Sequence, residues 1–319
     1  MRRALQYAGV GMDFGPYLML AIMEGGLTAA VLALTASGLA LVFGVMRVVN
    51  VAHGEFFMLG AVLAWWVTQM AGGAPVLGFL FALCVVPVMV GVLAAFLDMT
   101  ILKRINYDPE RTIVATIGIL YIFQQVTLMT YGPEARPVEP PFNARIALPW
   151  FEVSDGALQL YWPWGLSITS YKLFVIGAAC VVLLGLWALM TQTKLGLLMR
   201  ATEQDREMTL AFGIPVQRVY AIAFGLGAGL AALAAVLIVP IQQAHYLMGG
   251  DPLLLSFIVV IIGGLGSLPG AILAALLIGL SDGIISVFFS PTLAKIFATL
   301  LVAFVLVFRP NGLWGAKNS

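Results

Sequence analysis

Glu24, Asn50, His53, Glu55, Gln124, Gln125 and Asp282 put carboxyl, amide and imidazole groups inside otherwise apolar stretches. At the centre of a bilayer an ionisable group costs about 3 kcal/mol unless it faces protein or water. Such side chains therefore line a polar pathway or bond one helix to another. Asn50, His53 and Glu55 share the stretch Arg47-Val48-Val49-Asn50-Val51-Ala52-His53-Gly54-Glu55, where a helix cannot satisfy all its own backbone groups. Gln124 and Gln125 are neighbours in mid-run, and adjacent helical positions point about 100° apart. At least one of the two should face protein. Asn50, His53, Glu55, Gln124, Gln125 and Asp282 are the candidate pathway residues. The rival reading makes the Asn50–Glu55 cluster a staple that holds a broken helix.

Other chemistry has no visible equipment. The sequence contains no Gly-x-x-x-x-Gly-Lys-Ser/Thr loop, no His-Glu-x-x-His helix and no Cys-x-x-Cys pair. Two histidines leave little for a metal site, and none is expected. Cys84 and Cys180 lie in apolar runs and read as packed thiols rather than a disulfide. A net charge of +1, with no long Lys/Arg run, gives no footprint for nucleic acid.

The elements that must position these residues follow from composition. Hydrophobic residues make up 61% of the 319 and charged ones 10%, against about 25% charged in soluble domains. Only a bilayer can hide that much apolar surface, at about 20 residues per spanning helix. Apolar runs fall at about 17–44, 56–72, 76–97, 112–131, 172–190, 217–239, 252–264, 268–289 and 293–308. The expected fold is all-α: one transmembrane domain over 1–319, a bundle of about eight or nine spans. Broken or re-entrant segments are expected near 45–60 and 263–270, the latter within Gly263-Gly264-Leu265-Gly266-Ser267-Leu268-Pro269-Gly270. Gly225 and Gly229, like Gly279 and Gly283, lie four apart and should let helix backbones approach.

Alternating the spans gathers Arg47, Lys103, Arg104, Arg111, Lys194, Arg200, Arg206, Arg218, Arg309 and Lys317 on one side. Arg2, Arg3, Arg136, Arg145, Lys172 and Lys295 fall on the other. The richer side is expected to be cytoplasmic, which leaves a retained N-terminus outside. The polar stretch 132–170 is then external. Within it, strand-like runs flanking Asp155-Gly156 predict a hairpin over 151–161.

The stretch 191–216 is different in kind. It is charged, helix-prone from about Ala201 to Phe212, and closes on Gly213 with Pro215 beyond. Met199, Leu210, Ala211 and Phe212 offer an apolar contact surface. A short amphipathic helix between two spans is what a membrane subunit needs to feel a partner move.

The run Gly44-Val45-Met46-Arg47-Val48-Val49-Asn50-Val51-Ala52-His53-Gly54-Glu55-Phe56-Phe57-Met58-Leu59-Gly60-Ala61 resembles the signature of LivH-type permeases of bacterial branched-chain amino acid ABC importers. The 193–215 loop resembles their coupling loop. Gly249-Gly250-Asp251-Pro252 with Gly263-Gly264-Leu265-Gly266-Ser267, and Phe308-Arg309-Pro310-Asn311-Gly312-Leu313, resemble their later segments. The resemblance implies a multi-pass protein of the bacterial inner membrane that is not an enzyme and carries no cofactor of its own. Its implied partners are a second homologous permease, two cytoplasmic ATPase subunits that bind the ATP, and a periplasmic substrate-binding protein. Arg200, Glu203, Asp205 and Arg206 would make polar contacts on an ATPase, Ala211 and Phe212 would pack, and Gly213 would turn the chain. Relatives also carry urea, short amides or aromatic acids, so the motifs define the machine better than its cargo. An ATP-independent channel or secondary carrier is the more distant alternative. For a zwitterionic amino acid the site should be shallow and mostly apolar, with selection left to the delivery protein.

Overall fold

The computed structural model describes residues 14–72, 74–147, 150–154, 157–161, 167–308 and 312. The helices are α1 (Phe14–Met46), α2 (His53–Met70), α3 (Pro75–Thr100), α4 (Pro109–Tyr131), α5 (Ser170–Gln192), α6 (Lys194–Gln204), α7 (Arg206–Ala211), α8 (Val216–Gln242), α9 (Gly250–Gly263), α10 (Leu268–Phe288) and α11 (Pro291–Phe308). Each of the nine apolar runs became a helix, giving an all-α bundle. Among the described residues six helices are long and apolar enough to cross a membrane: α1, α3, α4, α5, α8 and α10. Helices α2, α9 and α11 are the shorter remainder.

Local chemistry sets the boundaries. Asp108 caps α4, its Oδ1 accepting from the Arg111 amide at 3.0 Å, with Pro109 in the first turn. Ser267 caps α10 in the same way, accepting from the Gly270 amide at 3.2 Å. The continuous helix expected over 201–212 is instead two. Asp205 leaves helical geometry and its Oδ1 accepts from the Met208 amide at 3.0 Å, starting α7 anew. An aspartate favours a cap over a helix interior because its side chain competes for nearby amides.

Helix α1 is the axle of the bundle. It packs against α10, α8, α9 and α5, while α8 in turn meets α3 and α2. Both predicted glycine pairs lie at these crossings: a Cβ on Gly225 would stand 2.7 Å from the Gly91 oxygen of α3. Gly279 backs onto Ala29, and Gly283 onto Gly25 of α1. Cys84 and Cys180 are free thiols, yet neither is packed inside; both are exposed on the outer faces of α3 and α5. Their apolar neighbours there face outward rather than into a core.

The break after α1 is re-entrant. Arg47 turns the chain with φ of 56°. His53, the first residue of α2, then places its Nε2 2.9 Å from the Thr35 carbonyl oxygen. Thr35 lies three turns before the end of α1, about 16 Å back along its axis. Residues 47–52 therefore climb back beside α1, and α2 starts deep in the bundle. There the backbone of Gly54 touches that of Gly249, just before α9. The second break, 264–267, joins α9 to α10, with φ of 104° at Gly264 and 86° at Gly266.

At the opposite end, strands β2 (Trp150–Ser154) and β3 (Ala157–Tyr161) pair antiparallel with Ser154 opposite Ala157, the predicted hairpin. Its Asp155-Gly156 turn lies outside the described residues, as do Pro149, Trp162, Pro163, Trp164, Arg309, Lys317, Arg2 and Arg3. A second ribbon, β1 (Arg145–Ala147) with β4 (Ser167–Thr169), closes the loop. Arg136 pins it to the bundle. Its backbone exchanges two 2.9 Å hydrogen bonds with Ala244, and its guanidinium stands 4.6 Å from the ring centroids of both Trp65 and Tyr131.

Candidate functional site

Five of the six pathway candidates divide between two places. Asn50, His53, Glu55 and Gln124 gather around the re-entrant segment, and the first three are buried. Asn50 Oδ1 accepts from the Ala52 amide at 3.1 Å, and the Val51 amide donates to Thr116 Oγ1 of α4 at 3.2 Å. Gln124 Nε2 donates to Glu55 Oε1 at 2.8 Å, joining α4 to α2. Ser256 of α9 donates to Thr35 Oγ1 at 2.9 Å, the same residue whose carbonyl meets His53. Four helices are thus bonded around the re-entrant segment. Gln125 is not part of this set: it is exposed on the outer face of α4, because the 100° step that turns Gln124 inward turns it out.

Asp282 lies elsewhere, in a cavity of about 530 Å³ open at the end that bears the β-ribbons. Leu27, Val31, Leu32, Phe57, Ile238 and Leu255 give it an apolar wall, and Glu24, Thr28, Gln242, His245, Asp251, Asp282 and Lys295 supply polar groups. Of the six candidates only Asp282 lines it. Two ion pairs frame it: Glu24 with Lys172, and Lys295 Nζ with Asp251 Oδ2 at 2.7 Å. The cavity presents both signs of charge beside aliphatic surface. Sequence reading marked Glu24 as an intramembrane polar group but did not place it here. Gln242 and His245 it missed, and Lys295 it weighed only as a topological charge. The Gly-Gly-Asp-Pro motif was the one available signal, since it contains Asp251.

Gly279-Leu280-Ser281-Asp282-Gly283 also spells the Gly-x-Ser-x-Gly of hydrolase elbows. It lies within continuous helix α10 rather than on a strand-to-helix turn, so Ser281 lacks that strained, exposed setting.

A third cluster sits at the basic end. Arg47 Nη2 donates to the Glu203 carbonyl oxygen at 3.0 Å. Gly44 and Gly266 flank the Glu203 carboxyl group closely: a Cβ on Gly44 would meet Glu203 Oε1 at 3.2 Å and Gly266 Cα at 3.2 Å. Burial pushes that carboxyl above its ordinary pKa, an effect partly offset by Arg47. Glu203 therefore faces the junction of both breaks rather than a free rim. Arg206 is exposed, with its guanidinium 5.7 Å from the Tyr220 ring. Met199 is fully buried and adds nothing to an outer contact surface, whereas Leu210 and Phe212 are 48% and 78% exposed. Arg200, Asp205 and Ala211 are exposed too. Gly213 has φ of 76°, the left-handed cap expected of it.

Comparison with known proteins joins these features to a family. Residues 21–306 match the family described as the permease component of branched-chain amino acid transport systems. The chain is 28% identical to the high-affinity branched-chain amino acid transport system permease protein BraD of Pseudomonas aeruginosa, over 94% of this chain and 96% of that one. It is 25% identical to LivH of Escherichia coli K12, again over 94% and 96%. It is 26% identical to the probable LivH of Methanocaldococcus jannaschii, over 92% of each. No solved structure matches. With six long apolar helices, this makes the chain a multi-pass inner-membrane protein and a component of a multi-part transport system. The chain belongs to the permease-component family of branched-chain amino acid transport systems.

Proposed function

We propose that this chain forms half of the membrane pathway of an ATP-driven importer of branched-chain amino acids. A second, homologous permease completes the pathway. Two ATPase subunits bind at the basic end, which faces the cytoplasm, and a periplasmic binding protein delivers substrate to the ribbon end. The observation that carries this reading is the 530 Å³ cavity. Its size falls in the range of about 300–1,000 Å³ typical of small-molecule sites. Its aliphatic wall suits a branched side chain, and carboxylates beside Lys295 suit the two charges of an amino acid. The names of the relatives agree with that cargo. The exposed Leu210 and Phe212 of the α6–α7 loop provide apolar surface for an ATPase groove, with Arg200 and Asp205 at its edge.

The test is uptake by the reconstituted transporter with labelled leucine, isoleucine and valine against urea, a short amide and an aromatic acid. ATP-dependent uptake of the aliphatic amino acids is the expected result. Uptake without ATP would replace the importer with a passive carrier or channel, and preference for urea would reassign the cargo.

A further inference from the structure

Helices α5 and α10 both flank α1, but they make little contact with each other. At the basic end this leaves a lateral gap of about 430 Å³, separate from the cavity that holds Asp282. Leu183, Leu186 and Met190 of α5 line one wall, Leu268 and Ile272 of α10 the other. From Leu183 to Met190 the wall runs about 10 Å along the helix, which matches part of an acyl chain lying parallel to it. Trp187 stands at its side, 57% exposed, the amphipathic residue type that collects at headgroup depth.

The gap ends on α6, at Arg200 and Glu203. These two do not neutralise one another. The Glu203 carboxyl group is taken up by the Gly44–Gly266 junction, and burial holds it toward its neutral form. Arg200 is exposed and has neither an ion pair nor a hydrogen bond from its side chain among the described residues. An apolar slot therefore terminates in one uncompensated guanidinium at the membrane surface. Guanidinium groups pair with phosphate in a bidentate fork, and basic pockets between membrane helices hold anionic headgroups.

We propose that this gap binds an anionic phospholipid, one acyl chain lying between α5 and α10 and the headgroup phosphate resting on Arg200. The ligand shares its boundary with Gly266 and Ser267, so it also steadies the second break where α6 touches it. This goes beyond the transport reading and does not depend on it.

Native mass spectrometry of the purified full chain, given equal amounts of phosphatidylglycerol and phosphatidylethanolamine, tests the proposal. Retention of phosphatidylglycerol should exceed that of phosphatidylethanolamine by about fivefold, as expected for one cation near a membrane surface. Arg200→Gln, an exposed position that leaves the fold alone, should abolish the preference. Ile272→Trp should fill the slot and lower retention of both lipids, with an unchanged thermal midpoint confirming that it folds. Equal retention of the two lipids by the wild-type chain overturns the proposal, as does an unchanged preference in Arg200→Gln. Loss of all bound lipid when the ATPase subunits assemble would also overturn it, by assigning the gap to a protein partner.

Discussion

The guanidinium of Arg47 reaches the carbonyl oxygen of Glu203 at 3.0 Å, tying the end of α1 to the end of α6. Met46 ends α1 immediately before it, and the re-entrant segment begins with it. A push on α6 from a partner at the basic end would therefore arrive at the segment that carries Asn50, His53 and Glu55. Removing the guanidinium should weaken that link by about 1 kcal/mol, a typical hydrogen-bond contribution. Arg47→Ala is expected to lower uptake several-fold while ATP hydrolysis and membrane yield stay near wild type. Parallel loss of hydrolysis and uptake would place Arg47 outside the coupling route.

Gly213 tests the other end of the loop. With φ of 76° and open space where a Cβ would lie, its constraint is conformational rather than steric. A β-branched residue there should cost about 1–2 kcal/mol. Gly213→Val should uncouple hydrolysis from uptake without removing the protein from the membrane, whereas Gly213→Asn, tolerant of left-handed geometry, should retain most activity. Equal uptake by all three proteins would exclude a role for the turn.

The Glu55–Gln124 bond predicts a split between substitutions. Glu55→Gln keeps an oxygen to accept from Gln124 and should assemble normally. Glu55→Leu leaves the Gln124 amide unpaired and should cost about 1–3 kcal/mol, visible as reduced yield of folded protein. His53→Ala should behave like Glu55→Leu. Wild-type yield for both of the latter variants, with altered transport, would make the cluster part of the pathway instead of a staple.

Glu203 carries a pH signature. Its raised pKa means that the folded state binds the proton more tightly than the unfolded chain does. Its contribution therefore favours folding at acid pH and is lost as pH rises from the ordinary carboxylate range through the folded value. Glu203→Gln should remove that part of the slope, leaving a thermal midpoint that falls less between acid and neutral pH. An unchanged slope would mean that the carboxyl group is effectively solvated.

Sidedness is open to direct labelling. With Cys84 and Cys180 replaced, a cysteine at exposed Glu134 should react with an impermeant maleimide in intact cells. One at Gln204 should react only after the membrane is opened. The reverse pattern would invert the proposed orientation.

The nine helices were legible because apolar runs of this length leave a chain few other options in a bilayer. The break at Asp205 was not, since Thr202-Glu203-Gln204-Asp205-Arg206-Glu207 reads as a solvated helix unless the capping role of Asp205 is weighed. Gln124 and Gln125 are equivalent on the page, and only the rotation of α4 separates them. The charged cavity was the hardest to foresee. Its polar groups come from α1, α8, α9, α10, α11 and the α8–α9 connection, and Gln242, Asp251 and Lys295 lie near helix ends, where such a residue looks like any other emerging into water. Asp251 and Lys295 become partners only when α9 and α11 are set side by side.

The contact of Gly54 with Gly249 brings the starts of α2 and α9 together within the bundle. Each helix start carries about half a positive elementary charge from its aligned peptide groups. Two such ends abutting would repel, most strongly on the buried side where α2 begins. Each helix carries one acid in its first turn, Glu55 in α2 and Asp251 in α9. The macrodipoles thus supply a reason for the buried Glu55 carboxyl group to be tolerated at its depth, while Asp251 meets the same field from the exposed side. The same two acids answer the positive field that the meeting of two half-length helices creates.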